Sequence, residues 1–117
     1  MSAETSLRLA TEPSPERRAK VLRTAGLGIV LQAVAKRFSV TEMEILGRSR
    51  WPSIVRARQC LCWHLVVEWE LSTVEAGRLV GRDHTTVIHA CRKVKELVLE
   101  GTDFAEDYRN LMRTLSS

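Results

Sequence analysis

Gly81-Arg82-Asp83-His84-Thr85-Thr86-Val87-Ile88-His89-Ala90-Cys91-Arg92-Lys93-Val94 decides how the rest of this chain is read. Asp83 is a good N-cap, because a carboxylate there accepts from the unpaired N–H groups of a first helical turn. The helix it opens is expected to run from His84 to about Leu99, with Gly101 stopping it. Val87, Cys91, Val94 and Val98 form one apolar stripe at helical spacing, supported by Ala90 and Leu97. Thr85, His89, Arg92 and Glu96 fall on the other side, flanked by Lys93. Just upstream, Ser72-Thr73-Val74-Glu75 reads as a capping box for a short helix that ends at Val80 before Gly81. A short helix, a glycine turn and a longer helix make a helix-turn-helix.

Working towards the N-terminus, a long helix is expected from a Ser53 cap to about Trp69. Its apolar positions 54, 57, 61, 65 and 69 form a stripe. Before it lies a basic loop, Arg48-Ser49-Arg50-Trp51-Pro52-Ser53, in which Pro52 discourages helix at Trp51. Thr41-Glu42-Met43-Glu44 is a capping box for a short helix ended by Gly47. Apolar residues at 30, 31, 34, 35 and 38 define another helix, with Lys36 and Arg37 suiting its C-terminal end. Ser14-Pro15-Glu16 starts an extra helix reaching about Arg23, and residues 1–13 read as a loose tail. Beyond Gly101, Thr102 or Asp103 opens a last helix with Phe104, Tyr108, Leu111 and Leu115 at helical spacing. No segment reads as a strand, so the expected class is all-α.

The length, 117 residues, suits a single domain with one core. Hydrophobic residues make up 44% and charged residues 27%, an ordinary globular balance that argues against disorder. Net charge is +4, but its distribution is more telling. Arg48, Arg50, Arg56 and Arg58 come with no acid among them, and a second basic run spans Arg78 to Lys95. Acids then dominate from Glu96 to Asp107, which separates a face suited to phosphates from one turned away. Three cysteines, Cys60, Cys62 and Cys91, lack both an even count and zinc-knuckle spacing, and read as buried thiols in a reducing compartment. No apolar run approaches membrane-spanning length and the N-terminus has no signal-peptide core, so a cytoplasmic, nucleoid-associated location is expected.

The residues opening the second helix suit the reading of a DNA groove. The N-terminal turn of a recognition helix comes closest to base edges. Aspartate accepts from the cytosine amino group, and threonine offers both a hydroxyl and a methyl that meets the thymine methyl. For Asp83 this role stands beside an equal one as a pure helix cap. Arg82 lies at the helix entrance, and Lys93 lies further along, where the groove wall presents phosphates. Arg56 and Arg58 are read as phosphate contacts adjoining the basic loop, against the plainer reading of a solvated helix face. Trp51 is an anchor of its loop or a contact to the sugar-phosphate backbone. His64 and Glu68, four apart, are expected to share a hydrogen bond rather than a metal, and no triad or metal cluster is evident.

The string from Gly81 to Val94 closely resembles the signature of the C-terminal DNA-binding domain of the bacterial replication initiator DnaA. Asn110-Leu111-Met112-Arg113-Thr114-Leu115-Ser116-Ser117 also looks like the end of that family's chains. The resemblance covers roughly Gly28 to Ser117, which divides the chain into a tail and extra helix at 1–27 and a DnaA-like domain at 28–117. It implies a Trp-repressor-like helical fold that recognises a short, asymmetric DnaA-box-like site in double-stranded DNA. It implies base reading in the major groove by Asp83, His84, Thr85 and Thr86, with His89 on the same face. It also implies an arginine of the basic loop in the adjacent minor groove, with Arg48 the nearer match and Arg50 beside it. This chain has Gly81 where the family commonly has two glycines, and Thr73-Val74 where it often has Leu-Pro. No phosphate-cradling G-x-x-x-x-G-K-[ST] occurs in these residues, so no nucleotide, cofactor, metal or enzymatic activity is expected. The functional expectation is a stand-alone DNA reader that regulates transcription or replication initiation. The rival is an interaction module that binds the initiator, or a second copy of itself, through the N-terminal helix.

Overall fold

The computed structural model describes residues 14–101 and 103–116. Among them are seven helical segments and no strand. In chain order they are α1 (Pro15–Thr24), α2 (Gly28–Arg37), α3 (Glu42–Leu46), α4 (Pro52–Trp63), α5 (Thr73–Val80), α6 (His84–Leu99) and α7 (Asp103–Ser116). The all-α expectation therefore holds. The expected tail at residues 1–13 and the Thr102 start lie outside the described residues.

Most helix starts are chemically explicit. Ser14 Oγ accepts from the Arg17 amide, with Pro15 in the first turn. Thr41 and Glu44 form the reciprocal capping box, with bonds of 3.1 and 2.9 Å. Ser72 Oγ accepts from the Glu75 amide, but Glu75 turns back onto the Ser72 hydroxyl rather than onto backbone. The start of α4 differs from expectation. Trp51 occupies the N-cap position and Pro52 the first turn, with no side-chain cap from Ser53. Proline fits there because its fixed φ suits the helix and its missing N–H would have had no partner.

The long helix also ends differently. After Trp63 it widens into a π turn over His64–Glu68, with the Trp69 amide bonding to the His64 carbonyl at 3.1 Å. His64 is buried in the process and its Nδ1 has no hydrogen-bond partner, so the expected His64–Glu68 bond is corrected. Glu68 faces Tyr108 instead, whose hydroxyl lies 3.5 Å from Glu68 Oε1 and receives the Trp63 indole N–H at 2.6 Å.

The core is one cluster. Leu31, Val34, Leu61, Leu65, Val80, Val87 and Val94 are wholly buried in it, and α4 packs most closely against α6. Ala19 and Leu22 of α1 belong to the same cluster with no exposed surface. The extra helix is thus packed into the domain, and the boundary drawn at residue 27 crosses continuous core. Burial pushes the Cys60 and Cys62 thiols up to about 12, so both stay protonated and inert. Arg37 of α2 pairs with Asp107 of α7 and fastens the last helix.

Candidate nucleic-acid interface

The turn between α5 and α6 is built on two glycines. Gly81 adopts φ 75° and ψ 34°, a left-handed conformation that glycine adopts without strain. The Arg82 amide returns to the Gly77 carbonyl at 2.8 Å, closing the end of α5. Gly77 is needed because the chain doubles back over it: a Cβ there would sit 2.4 Å from the Arg82 carbonyl oxygen. The two helices can therefore approach backbone to backbone, which aims the start of α6 away from the core.

Asp83 caps α6 as expected, accepting the Thr86 amide at 2.8 Å. That bond, with help from the Thr86 side chain, holds its carboxyl below the usual value, so it is ionised at neutral pH. Its side chain is exposed, as are His84, Thr85, Thr86 and His89, while Val87, Ala90, Val94 and Leu97 face inward. Lys93 is half-buried and lies 4.0 Å from Glu96. The outer face carries one residue that the stripe reading passed over: Ile88 is 38% exposed. It stands off the 87, 91, 94, 98 stripe, and that offset was the available signal. Val74, at the start of α5, is likewise exposed.

The basic loop, residues 47–51, lies beside this turn. Arg48 and Arg50 are exposed, and with Gly81, Arg82, Asp83 and Thr86 they line one open groove. The arm and the entrance of α6 are therefore brought together on a single face. Trp51 is 69% exposed at the end of the arm, so its indole is not packed into the core.

Arg58 is also placed differently from expectation. It is only 8% exposed, and its guanidinium is engaged by the backbone. Nε donates to the Ile45 carbonyl at 2.7 Å, Nη1 to Ser49 at 3.0 Å, and Nη2 to Glu44 and Gly47 at 3.1 and 3.2 Å. The phosphate role is corrected to that of a clamp on the arm. The physical reason is the end of α3, where the Glu44 carbonyl accepts one backbone amide, that of Gly47 at 3.3 Å, and the carbonyls that follow lie past the last helical bond. Arg82 Nη2 adds a bond to the Gly47 carbonyl at 2.6 Å, and Arg18 of α1 donates to the Leu46 carbonyl. Burial, and then the neighbouring Arg82 guanidinium, lower Arg58 to about 10. Arg18 and Arg82 are lowered too, first by burial and then by neighbouring arginines that include Arg48. Arg56 is half-buried, and its Nη1 donates to Gln59 Oε1 at 2.7 Å.

Among the described residues no group of His, Cys, Asp or Glu is arranged to hold a metal ion. No helix among them is long and apolar enough to cross a membrane.

A glycine-tightened turn, a capped helix with a polar outer face and a cationic arm beside its entrance together define a helix-turn-helix DNA-binding domain. The family described as the bacterial dnaA protein helix-turn-helix matches residues 28–94, more than half of the chain. The chain belongs to that family. The matched segment holds the arm, the turn and the first part of α6, and it begins after α1.

Proposed function

We propose that this chain reads DnaA-box-like sites in double-stranded DNA and so regulates transcription or replication initiation at the nucleoid, without ATPase chemistry of its own. One observation carries the reading: Arg48, Arg50, Asp83 and Thr86 line the same groove, with His84 and Thr85 exposed beside it. A duplex that admits α6 to its major groove meets the arm at the neighbouring minor groove. Asp83, His84, Thr85 and Thr86 then face base edges. Asp83 keeps one oxygen for its cap and has the other for a cytosine amino group. His89, Lys93 and Arg56 flank that contact, suited to the groove wall and phosphates. Arg82 contributes positive charge while tied to the arm.

The test is a titration of labelled duplexes, one with a DnaA box and one scrambled, at two salt concentrations. The chain is expected to prefer the box by about 10³-fold or more. His84→Ala should weaken box binding by about 1–3 kcal/mol and relax the preference. Arg56→Ala should weaken both duplexes evenly and flatten the salt dependence. Equal box preference in His84→Ala would reject the role given to His84. Failure of the wild type to bind either duplex at low salt would reject DNA reading and favour a protein-interaction module.

A further inference from the structure

We propose that Arg18, on the helix preceding the matched segment, is a positioning residue for DNA recognition, bracing the basic arm against the helix-turn-helix turn. This inference rests on the DNA-reading assignment above and adds α1 to the reader. Its basis is the end of α3. The carbonyls of Glu44, Ile45, Leu46 and Gly47 point out of that helix, and arginines from three separate elements share them. Arg58 comes from α4, Arg82 from the turn and Arg18 from α1. Arg18 takes the Leu46 carbonyl, and Leu46 is two residues before Arg48.

The other side of the same guanidinium lies across Gly81. A Cβ built on Gly81 would fall 2.6 Å from Arg18 Cζ, 2.7 Å from Nε and 2.9 Å from Nη1. Gly81 thus serves two needs, a left-handed backbone and room for the Arg18 fork. Arg18 is itself half-buried, beside the wholly buried Ala19 and one turn before the wholly buried Leu22, so its place on α1 is fixed by the core. One planar group therefore spans the arm's root and the turn that aims α6. Arg48 lies within electrostatic reach of it. Loss of the fork frees the arm relative to α6, and two reading elements that must engage one duplex together then lose register.

The experiment uses the full chain with Arg18→Ala, Arg18→Lys and, as a control of equal charge loss on the same helix, Arg17→Ala. Hydrogen exchange is followed in peptides covering residues 47–51 and the core of α4. Affinity for box and scrambled duplexes is measured in the wild-type and Arg48→Ala backgrounds. Arg18→Ala is expected to speed exchange of the arm by about tenfold while α4 stays protected. It should weaken box binding about tenfold in the wild-type background and less than about twofold once Arg48 is removed, because the two act through one arm. Arg17→Ala should leave arm exchange unchanged, and Arg18→Lys, with one ammonium in place of a fork, should lie between. If Arg18→Ala lowers protection throughout α4, Arg18→Lys carries the test, since it keeps the charge and an aliphatic stem. Unchanged arm exchange, or an equal loss of affinity with and without Arg48, overturns the proposal while box preference in the wild type still stands. A wild type that does not distinguish the duplexes overturns both readings.

Discussion

Gly77→Ala isolates the feature that brings the two helices of the motif together. Two effects of the added methyl oppose each other. Alanine is favoured over glycine inside a helix by about 1 kcal/mol. Against this, the new Cβ would lie 2.4 Å from the Arg82 carbonyl oxygen, 3.4 Å from the Asp83 carbonyl carbon and 3.5 Å from that of Arg82. Real Cβ contacts essentially never fall below 3.0 Å, so the turn must retreat by more than half an ångström. The obstacle is backbone, held by the Arg82 amide bond to Gly77 and by the Arg82 side-chain bond to Gly47, so no side chain can swing aside. Overpacking costs about 1–3 kcal/mol, and an obstacle of fixed backbone puts this site in the upper half of that range, about 2–3 kcal/mol, which leaves a net loss of about 1–2 kcal/mol. Urea unfolding followed by circular dichroism reads the loss, and duplex titration reads the displaced entrance of α6. Gly28→Ala is the contrast. Its Cβ would meet Arg23 Cγ at 2.8 Å, on an exposed side chain that can shift, so it should cost less than Gly77→Ala. The reasoning is refuted if Gly77→Ala is as stable as the wild type and binds the box equally well.

Arg58→Met should destabilise the domain by about 2–4 kcal/mol, because the buried Ile45 carbonyl loses its side-chain donor and the part-buried Ser49, Glu44 and Gly47 carbonyls lose one each, and chemical denaturation measures it. The same variant should weaken box binding beyond the loss of one charge, since the arm loses its clamp. Tyr108→Phe leaves the Trp63 indole N–H without its acceptor and should cost about 1 kcal/mol, with a shift in tryptophan emission as the local reporter. Burial lowers His64 below its ordinary value of 6.5, so the folded state binds fewer protons than the unfolded chain. The stability linked to His64 is therefore fully present above pH 6.5 and is lost as pH falls through the lowered folded value. Urea midpoints between pH 7.5 and 5.5 should fall more steeply for the wild type than for His64→Leu.

Local chemistry was the legible part of this chain. Ser14, Thr41, Ser72 and Asp83 cap the helices they were expected to cap, because a short polar side chain acts on amides two or three residues away. Gly81 marks the turn for a similarly local reason. The inward and outward faces of α6 follow from periodicity, with Ile88 as the exception. What escaped the sequence depends on distance along the chain. An arginine next to a basic loop looks the same whether its fork meets phosphate or carbonyls, so the clamp made by Arg58 was hidden until the end of α3 was placed beside it. Arg18 sits in an unremarkable polar helix, and its partners at Leu46 and Gly81 come from elements far away in sequence. The π turn at His64 was equally hidden, because one extra residue per turn leaves no mark on an apolar run.

Several guanidinium groups gathered around one helix end repel one another, while the carbonyls of that end accept from them. Dissolved electrolyte must then act on this molecule in two opposed ways. Mobile ions shield the crowded cations and make the unliganded domain firmer, yet the same ions compete for the polyanion and loosen its grip. A dilute buffer is thus the condition in which the isolated domain is least comfortable and its hold on a duplex is greatest.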